Sequence, residues 1–259
     1  MTDVRPWPPN PKAEAWDLLG GAYWNADYDG GPSDAGCRQY LAGLEAGASV
    51  LLIGASTARL ARAALACGLE LTVCDFSPVM LADLRSALGD RASYLLADVT
   101  RTGALAAARF RSVLADRLLN RFTVTELNVA LTEVIGALRV GGEARLSYRL
   151  GLYARDLPVI DAARRHGCLE AVFDESTFDI DYSGGLDWLA DVLPPHGSLD
   201  PATVVKFYAA RGREHRLRPG ELDEIMRGIC AERDLGIEVG HTDLPETPAD
   251  HLLTLLRTR

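Results

Sequence analysis

Between residues 49 and 148, short apolar runs alternate with longer segments in which apolar residues recur at helical spacing. Short apolar runs of this kind are typical of buried strands, and the segments between them are long enough for helices. Strands joined by such helices pair in parallel through right-handed crossovers. The pattern therefore predicts an α/β fold with a parallel sheet, whose first five strands lie near residues 49–54, 70–75, 92–97, 111–115 and 143–149.

Local signals place the ends of several helices. Ser77 followed by Pro78 is typical of a helix N-terminus, with the serine as N-cap and the proline at the first helical position. Thr123 and Glu126 have the spacing of a capping box. Gly141-Gly142 is expected to end the helix that begins at this capping box and to turn the chain into the fifth strand.

The alternation fails after about residue 150 and resumes with a helix near 219–232. Two more strands are expected near 236–242 and 250–257. Before the first strand, the first dozen residues hold four prolines and predict an extended or disordered arm. Residues 13–45 then predict two short helices around a glycine-rich break.

Composition narrows the class of protein. The chain has 259 residues, of which 48% are hydrophobic and 24% charged, and its net charge of −9 argues against a broad basic surface for nucleic acid. No apolar run reaches the roughly 18 residues that span a bilayer, and the N-terminus lacks the apolar core of a signal peptide. The five cysteines are scattered and the histidines lack metal-ligand spacing, so no metal site is expected. We expect a cytoplasmic protein without nucleic-acid or membrane partners.

The stretch from Val50 to Asp75 carries the clearest chemical signal. An apolar run ends at Gly54, small residues open a helix, and a second apolar run ends in Asp75. This layout is typical of a βαβ unit that binds a nucleoside, with the acid placed to accept from two ribose hydroxyls.

Together with the two closing strands, this arrangement resembles the class I S-adenosylmethionine (SAM) dependent methyltransferases over roughly residues 48–150 and 220–259. The resemblance implies SAM as cofactor and a seven-stranded, mostly parallel, doubly wound sheet whose last strand is antiparallel. Of the family's first motif, an acid followed by three glycines, only Gly54 remains, and Leu52 stands at the position of the acid. The resemblance divides the chain into an N-terminal arm and helical lid (1–47), a SAM-binding Rossmann-like core (48–150), a substrate cap insertion (151–215) and a segment that completes the core sheet (216–259).

The resemblance also implies a set of cofactor-binding residues. Asp75 would hold the ribose beside Phe76 on the adenine, and Asp98 would accept from the adenine amino group beside the backbone of Val99. For Asp75 the alternative is a solvated acid at a strand end, and for Asp98 an N-cap of a helix after Thr100. The full set is Tyr23, Tyr28, Gly54, Ala55, Ser56, Asp75, Phe76, Asp98, Val99 and Asp116.

The segment after the fourth strand would line the reactive end of the cofactor. There Asp116 and Asn120 are candidate catalytic residues, joined by Tyr148 near the end of the fifth strand. Arg117 and Arg121, four residues apart, are candidates for holding a substrate carboxylate. The alternatives are a core tyrosine and surface arginines paired with acids. The Asn/Asp-Pro-Pro-Tyr arrangement of many methyltransferases that act on nucleic acid or protein is missing here.

Three functions within this reading stay open. The first is O- or N-methylation of a small-molecule acceptor, for which the 65-residue insertion supplies a cap. The second is a SAM cyclase or lyase that releases methylthioadenosine, for example by forming azetidine-2-carboxylate, because Leu52 removes a usual anchor of the methionine amine. The third is a non-catalytic SAM-binding subunit. NAD-dependent oxidoreduction fits less well, since the three-glycine fingerprint is missing, and a homodimer is left open as the assembly.

Overall fold

A seven-stranded sheet organises the molecule. The computed structural model describes residues 10–25, 31–55, 58–105, 110–193 and 199–259, with the backbone alone for 20–25. The strands in these residues are β1 (Ser49–Ile53), β2 (Glu70–Asp75), β3 (Ser93–Leu96), β4 (Phe110–Ala115), β5 (Leu138–Arg149), β6 (Phe173–Asp174), β7 (Asp179–Asp181), β8 (Arg213–His215), β9 (Ile237–Asp243) and β10 (Asp250–Arg257).

The order of the large sheet is β3-β2-β1-β4-β5-β10-β9. Neighbours from β3 to β5 pair in parallel, whereas β10 lies between β5 and β9 and is antiparallel to both. The prediction of a mostly parallel sheet of seven strands with an antiparallel last strand is confirmed. The chain adds β2 and β3 on one side of β1 and then returns to add β4 and β5 on the other side. In such folds, the carboxyl ends of the two strands at this switch, here β1 and β4, border a crevice that binds ligands.

Helices cover both faces of the sheet. They are α1 (Pro11–Asn25), α2 (Asp34–Leu41), α3 (Ala58–Ala66), α4 (Pro78–Leu88), α5 (Val124–Ala137), α6 (Asp156–Arg165), α7 (Leu169–Val172), α8 (Leu189–Val192), α9 (Pro201–Ala210) and α10 (Glu221–Arg233). Along β1, Val50 and Leu52 face one hydrophobic cluster, and Leu51 and Ile53 face the other. This period of two, with every residue buried, is what a strand covered on both faces requires.

The predicted helix starts are confirmed. The Ser77 hydroxyl accepts a hydrogen bond from the Met80 amide at 3.0 Å, and Pro78 opens α4. At α5, the Glu126 amide donates to Thr123 Oγ1, and the Glu126 carboxylate accepts from the Thr123 amide at 2.8 Å. This reciprocal pair of bonds satisfies two amides that no helical carbonyl reaches.

The predicted end of α5 is wrong. The helix ends at Ala137, before Gly141 and Gly142, and Leu138 already pairs with Phe110. The pairing of β4 with β5 is irregular here, and the glycines lie in the resulting bulge. Gly141 has a φ of +76°, and a Cβ on Gly142 would lie 2.7 Å from the Arg139 carbonyl oxygen. The glycines therefore bend β5 where its backbone crowds itself.

The N-terminal segment forms the two predicted helices, α1 and α2. Helix α1 begins at Pro11, so the predicted arm cannot extend through the first dozen residues, and residues 1–9 lie outside the described part. Helix α1 packs against α4 and α9, where the rings of Trp16 and Phe207 meet edge to face with centroids 5.0 Å apart. No helix among the described residues is long and apolar enough to cross a membrane.

Candidate functional site

The turn after β1 is built for close approach to a ligand. Gly54 has a φ of +102°, a conformation that favours glycine, and its amide donates to the Cys74 carbonyl at 2.8 Å. The next amide, of Ala55, donates to Asp75 Oδ2 at 2.6 Å. A Cβ on Gly54 would meet no atom of the described residues within 4 Å, so these residues leave the backbone at this turn open. Ser56, also predicted to bind the cofactor, lies outside the described residues.

The carboxylate of Asp75 connects the turn after β1 with the start of α4. Its second oxygen accepts from the Ser77 amide at 2.7 Å, and the residue is only 7% exposed. Burial raises the pKa of Asp75 to about 6, against the opposing effect of the backbone hydrogen bonds. Among the described residues, Oδ2 accepts from the Ala55 amide and Oδ1 from the Ser77 amide, which leaves each oxygen able to accept from a further donor such as a ribose hydroxyl. Phe76, which follows it, is partly exposed beside this carboxylate.

Asp98 lies after β3 and has its own set of donors. Its Oδ1 accepts from the Thr100 amide and hydroxyl, at 3.0 and 2.7 Å, and its Oδ2 accepts from Asn10 Nδ2 at 2.9 Å. The described residues after Thr100 form turns, so the alternative of an N-cap for a following helix is wrong. An amide NH₂ of the chain thus donates to the carboxylate that the resemblance assigns to an adenine amino group. Val99, next to it, is buried.

Asp116 is held at the end of β4. Its Oδ1 accepts from the Tyr40 hydroxyl at 3.1 Å and from the Ser147 hydroxyl at 2.9 Å. Burial raises the pKa of this carboxyl, while Arg117 and the two hydroxyl donors oppose the rise. Tyr40 and Ser147 were missed by sequence reasoning, because nothing in a single hydrophobic strand or helix marks a residue as a donor to a distant acid.

Asn120 is fully buried and bonds to the backbone of Arg149. Its Nδ2 donates to the Arg149 carbonyl at 2.9 Å, and its Oδ1 accepts from the Arg149 amide at 2.8 Å. The side chain therefore fastens the turn Leu119–Arg121 to the end of β5. A catalytic role for Asn120 stays a prediction, and the geometry itself gives it a positioning role.

Tyr148 is not brought together with Asp116. Its hydroxyl bonds to His241 Nδ1 at 2.8 Å, and His241 Nε2 bonds to Asp223 at 2.9 Å. Successive side chains of a strand point to opposite faces, and the neighbouring Ser147 is the one that faces Asp116. The predicted grouping of Tyr148 with the other catalytic candidates is therefore corrected.

Arg117 and Arg121 do not form a common fork in this structure. Arg117 Nη2 lies 3.6 Å from Asp250, whereas Arg121 Nη1 lies 3.5 Å from Glu214. The two arginines therefore belong to different ion pairs at the carboxyl ends of β4 and β5. Of the aromatic candidates at the N-terminus, Tyr28 and the side chain of Tyr23 lie outside the described residues.

Sequence reasoning missed most of the ionic residues beside these arginines. Arg149, Arg155, Arg211 and Arg216 gather around the ring of Tyr153 or its neighbours. The sequence did offer one signal, because arginines are dense at both ends of the insertion. They are Arg149 and Arg155 at its start, and Arg211, Arg213, Arg216 and Arg218 at its end. Contact between the two ends could not be read from that density.

The site residues fit a nucleoside cofactor. A glycine turn with positive φ, two amides near its end and a buried carboxylate with free acceptor capacity meet at the carboxyl ends of β1 and β2. Among the described residues, no group of three or more His, Cys, Asp or Glu side chains could hold a metal ion.

The comparisons with known proteins give one match to a family model and several solved structures of similar fold. Residues 50–142 match a family model described as a methyltransferase domain. A solved structure from Rhodobacter sphaeroides, provisionally described as a Zn-dependent alcohol dehydrogenase, is 34% identical, with a TM-score of 0.88 over 96% of this chain and 99% of that chain. No curated protein sequence matches the chain.

Two more distant structures share the fold. The CcbJ methyltransferase from Streptomyces caelestis is 16% identical, with a TM-score of 0.60 over 98% of this chain and 100% of that chain. A 1,6-didemethyltoxoflavin-N1-methyltransferase from Burkholderia thailandensis is also 16% identical, with a TM-score of 0.53 over 100% of this chain and 98% of that chain. At this level of identity, the fold is what is shared.

Proposed function

We propose that this chain, in which residues 50–142 match a methyltransferase domain, transfers the methyl group of SAM to a small-molecule acceptor. The observation that carries this proposal is the Asp75 carboxylate, buried between the amides of Ala55 and Ser77. A buried acid with unused lone pairs at this point of a βαβ unit is what two ribose hydroxyls need.

Gly54, Ala55 and Asp75 would hold the adenosine, and Asp116 would lie at the reactive end. SAM, when bound, supplies an electrophilic methyl group on a sulfonium, so the chain itself needs mainly to align a nucleophile and exclude water. An O–H or N–H nucleophile also has a proton to lose. Asp116 is a candidate acceptor for that proton, because its raised pKa makes it a better base than an ordinary carboxylate.

A small acceptor is supported by the segment between β5 and α10. It contributes α6 to α9 and a three-stranded antiparallel sheet, β6-β7-β8, beside the carboxyl ends of β4 and β5. The structure from Burkholderia thailandensis contains S-adenosylhomocysteine together with 1,6-didemethyltoxoflavin, and the latter is the small acceptor of that protein. We extend the small-molecule class, and no particular acceptor, to this chain.

Thermal unfolding with S-adenosylhomocysteine tests the cofactor. Stabilisation of the wild type is expected, and Asp75→Asn should lose most of it, whereas Asp90→Asn should not, because Asp90 is 92% exposed and remote from the turn. Stabilisation by NAD with none by S-adenosylhomocysteine would refute the proposal and would favour the dehydrogenase description of the Rhodobacter sphaeroides protein.

A second measurement separates methyl transfer from the cyclase or lyase alternative. Leu52, fully buried in the core, leaves the family's first-motif position without an acid, and this favours retaining that alternative. The protein is incubated with SAM alone and the products are read by mass spectrometry. No enzyme-dependent methylthioadenosine is expected. Its rapid release without an acceptor would overturn methyl transfer.

A further inference from the structure

Five arginines gather where the insertion meets the carboxyl ends of β4 and β5, two of them buried and three half-buried. Two of them come from the core and three from the insertion or just beyond it, so the group spans both ends of the inserted segment. We refer to this group as the arginine cluster; its members are Arg121, Arg149, Arg155, Arg211 and Arg216.

Glu214 balances only part of this charge. It is 1% exposed and accepts from Arg211 Nε at 2.8 Å and from Arg216 Nη1 at 3.2 Å, while Arg121 Nη1 lies 3.5 Å away. One carboxylate therefore serves three guanidinium groups. The three cations also hold the pKa of Glu214 far below its usual range, although burial alone would raise it.

Two further carboxylates, those of Asp156 and Asp250, pair with arginines of the cluster. Asp156, fully buried, accepts from Arg216 Nε at 2.6 Å. Asp250 receives both Nε and Nη2 of Arg149, at 2.6 and 2.8 Å, and Arg117 lies 3.6 Å from it as well. Within the described part of the chain, three carboxylates thus face the five arginines of the cluster, so the positive charges outnumber the negative ones there.

Arg155 carries that surplus most directly. It forms no salt bridge with any carboxylate in the described part of the chain, and its Nη1 donates a hydrogen bond to the Tyr208 hydroxyl at 2.8 Å. Its Nε is buried and has no hydrogen-bond partner among the described residues. A buried donor of a charged group that stays unpaired is unfavourable unless an acceptor bonds to it.

Tyr153 adds an independent observation. Four guanidinium carbons of the cluster lie within 5.4 Å of its ring centroid, with Arg155 and Arg216 both at 4.7 Å. The residue is 6% exposed, and its hydroxyl is buried without a hydrogen-bond partner in the described residues. A phenol donor surrounded by cations and left unpaired points to an acceptor that is negatively charged.

We infer that the arginine cluster and the Tyr153 hydroxyl bind an anionic group of the acceptor substrate, a carboxylate or a phosphate. This inference rests on the proposed function and deepens it by naming the chemical class of the acceptor. Arg121 and Arg149 place the cluster next to the Asp116–Arg117 end of β4, on the side where the reactive end of the cofactor is proposed. An anchored anion there orients a second functional group toward the methyl group.

The first test uses inorganic phosphate and acetate as probes, without cofactor. Thermal unfolding of the wild type is compared in phosphate, acetate and chloride at equal ionic strength and pH, with phosphate or acetate expected to stabilise beyond chloride. Arg155→Met should weaken the apparent affinity for that anion roughly 10- to 100-fold, since charged hydrogen bonds are lost. Arg85→Met, at a pair of exposed side chains, is the matched control and should respond as the wild type does.

Tyr153→Phe keeps the ring and removes only the unpaired hydroxyl. Its stability in chloride should equal or exceed that of the wild type, because no protein hydrogen bond is lost, while its response to the anion should fall several-fold. A merely structural tyrosine would not combine these two results. If neither anion stabilises the wild type beyond chloride, or if Arg155→Met and the wild type respond alike, the inference is overturned.

The affinity for S-adenosylhomocysteine decides whose anion is bound. Arg155→Met and Tyr153→Phe should bind it as the wild type does, since the acceptor and not the cofactor supplies the anion. A matching fall in this affinity would overturn the inference and assign the arginines to the methionine carboxylate of the cofactor. Failure of the wild type itself to bind S-adenosylhomocysteine would count against the proposed function alone, because the anion titrations contain no cofactor.

Discussion

Replacing Asp75 with asparagine should make the protein lose cofactor affinity and gain stability at neutral pH. The pKa of Asp75 is raised from 3.8 to about 6, so its ionised form is less favourable in the folded than in the unfolded chain. At about 1.4 kcal/mol per pKa unit, a shift of roughly two units corresponds to about 3 kcal/mol. The folded protein therefore carries a destabilising charge at neutral pH.

The sign follows from proton linkage. A group whose pKa is raised on folding contributes stability that is fully present below the unfolded pKa and is lost as pH rises through the folded pKa. For Asp75 the stability falls between about pH 4 and pH 6, and about 1.3 kcal/mol of the loss lies between pH 5 and pH 7. Asparagine does not titrate, so Asp75→Asn lacks this dependence.

The assay is urea unfolding of wild type and Asp75→Asn at pH 5, 6 and 7. The variant also loses one hydrogen bond, since its amide oxygen can accept from Ala55 or Ser77 but its NH₂ group cannot; this penalty is the same at every pH. The difference in unfolding free energy should therefore move in favour of the variant by about 1 kcal/mol from pH 5 to pH 7. Asp90→Asn should show no such change.

Binding gives the second half of the prediction. In the proposed complex, ribose hydroxyls donate to the ionised carboxylate, so the wild type should bind S-adenosylhomocysteine more weakly at pH 5 than at pH 7. The variant should bind roughly 10- to 100-fold more weakly at pH 7 and show no carboxylate titration. Identical pH profiles of stability would refute the perturbed pKa, and undiminished affinity in the variant would refute the ribose contact.

Three further changes test other parts of the structure. Asn10→Ala removes the amide that donates to Asp98 and should raise the affinity for S-adenosylhomocysteine several-fold in calorimetry; lower affinity would show that Asn10 assists binding. Arg216→Met breaks ion pairs with Asp156 and Glu214 in the fully buried network and should cost about 3–5 kcal/mol in urea unfolding, and a loss below 1 kcal/mol would contradict the network's importance. Thr123→Ala removes the capping box of α5 and should cost about 1 kcal/mol by the same assay, with affinity for the cofactor unchanged; equal stability would mean that water replaces the cap.

The fold was largely predictable because each strand of the core is marked by a local pattern. Strand β2 is found at the residues expected, and the ends of β1, β3, β4 and β10 differ from expectation by no more than one residue. Strand β5 is the exception, since its pairing begins at Leu138, and the Gly141-Gly142 signal had two meanings. Glycine with positive φ ends helices and also forms bulges, and only the pairing of Leu138 with Phe110 distinguishes them.

The candidate site was predictable only as far as it depends on strand ends. Gly54 and Asp116 follow β1 and β4 directly, Asp75 is the last residue of β2, and parallel strands bring such positions to one edge. Tyr148 shows the limit of that reasoning. Neighbouring residues of a strand point to opposite faces of the sheet, so Ser147 faces Asp116 and Tyr148 faces away from it. The alternation of β5 gave no guide, since Leu146, Ser147 and Tyr148 are all buried.

The arginine cluster lay beyond sequence reasoning for a different physical reason. Its members are polar residues whose burial is made tolerable by partners far along the chain, such as Asp156 for Arg216 and Asp250 for Arg149. Hydrophobic periodicity predicts which residues avoid water and says nothing about charges that enter the interior in pairs. The imbalance of such pairs can be counted only once the fold has brought them together, and in the described part of the chain Arg155 is the member of the cluster without an ion pair. The proposal of an anionic acceptor therefore depends on tertiary ion pairs, whereas the cofactor was predicted from Gly54, Asp75 and Asp98 together with the order of the strands.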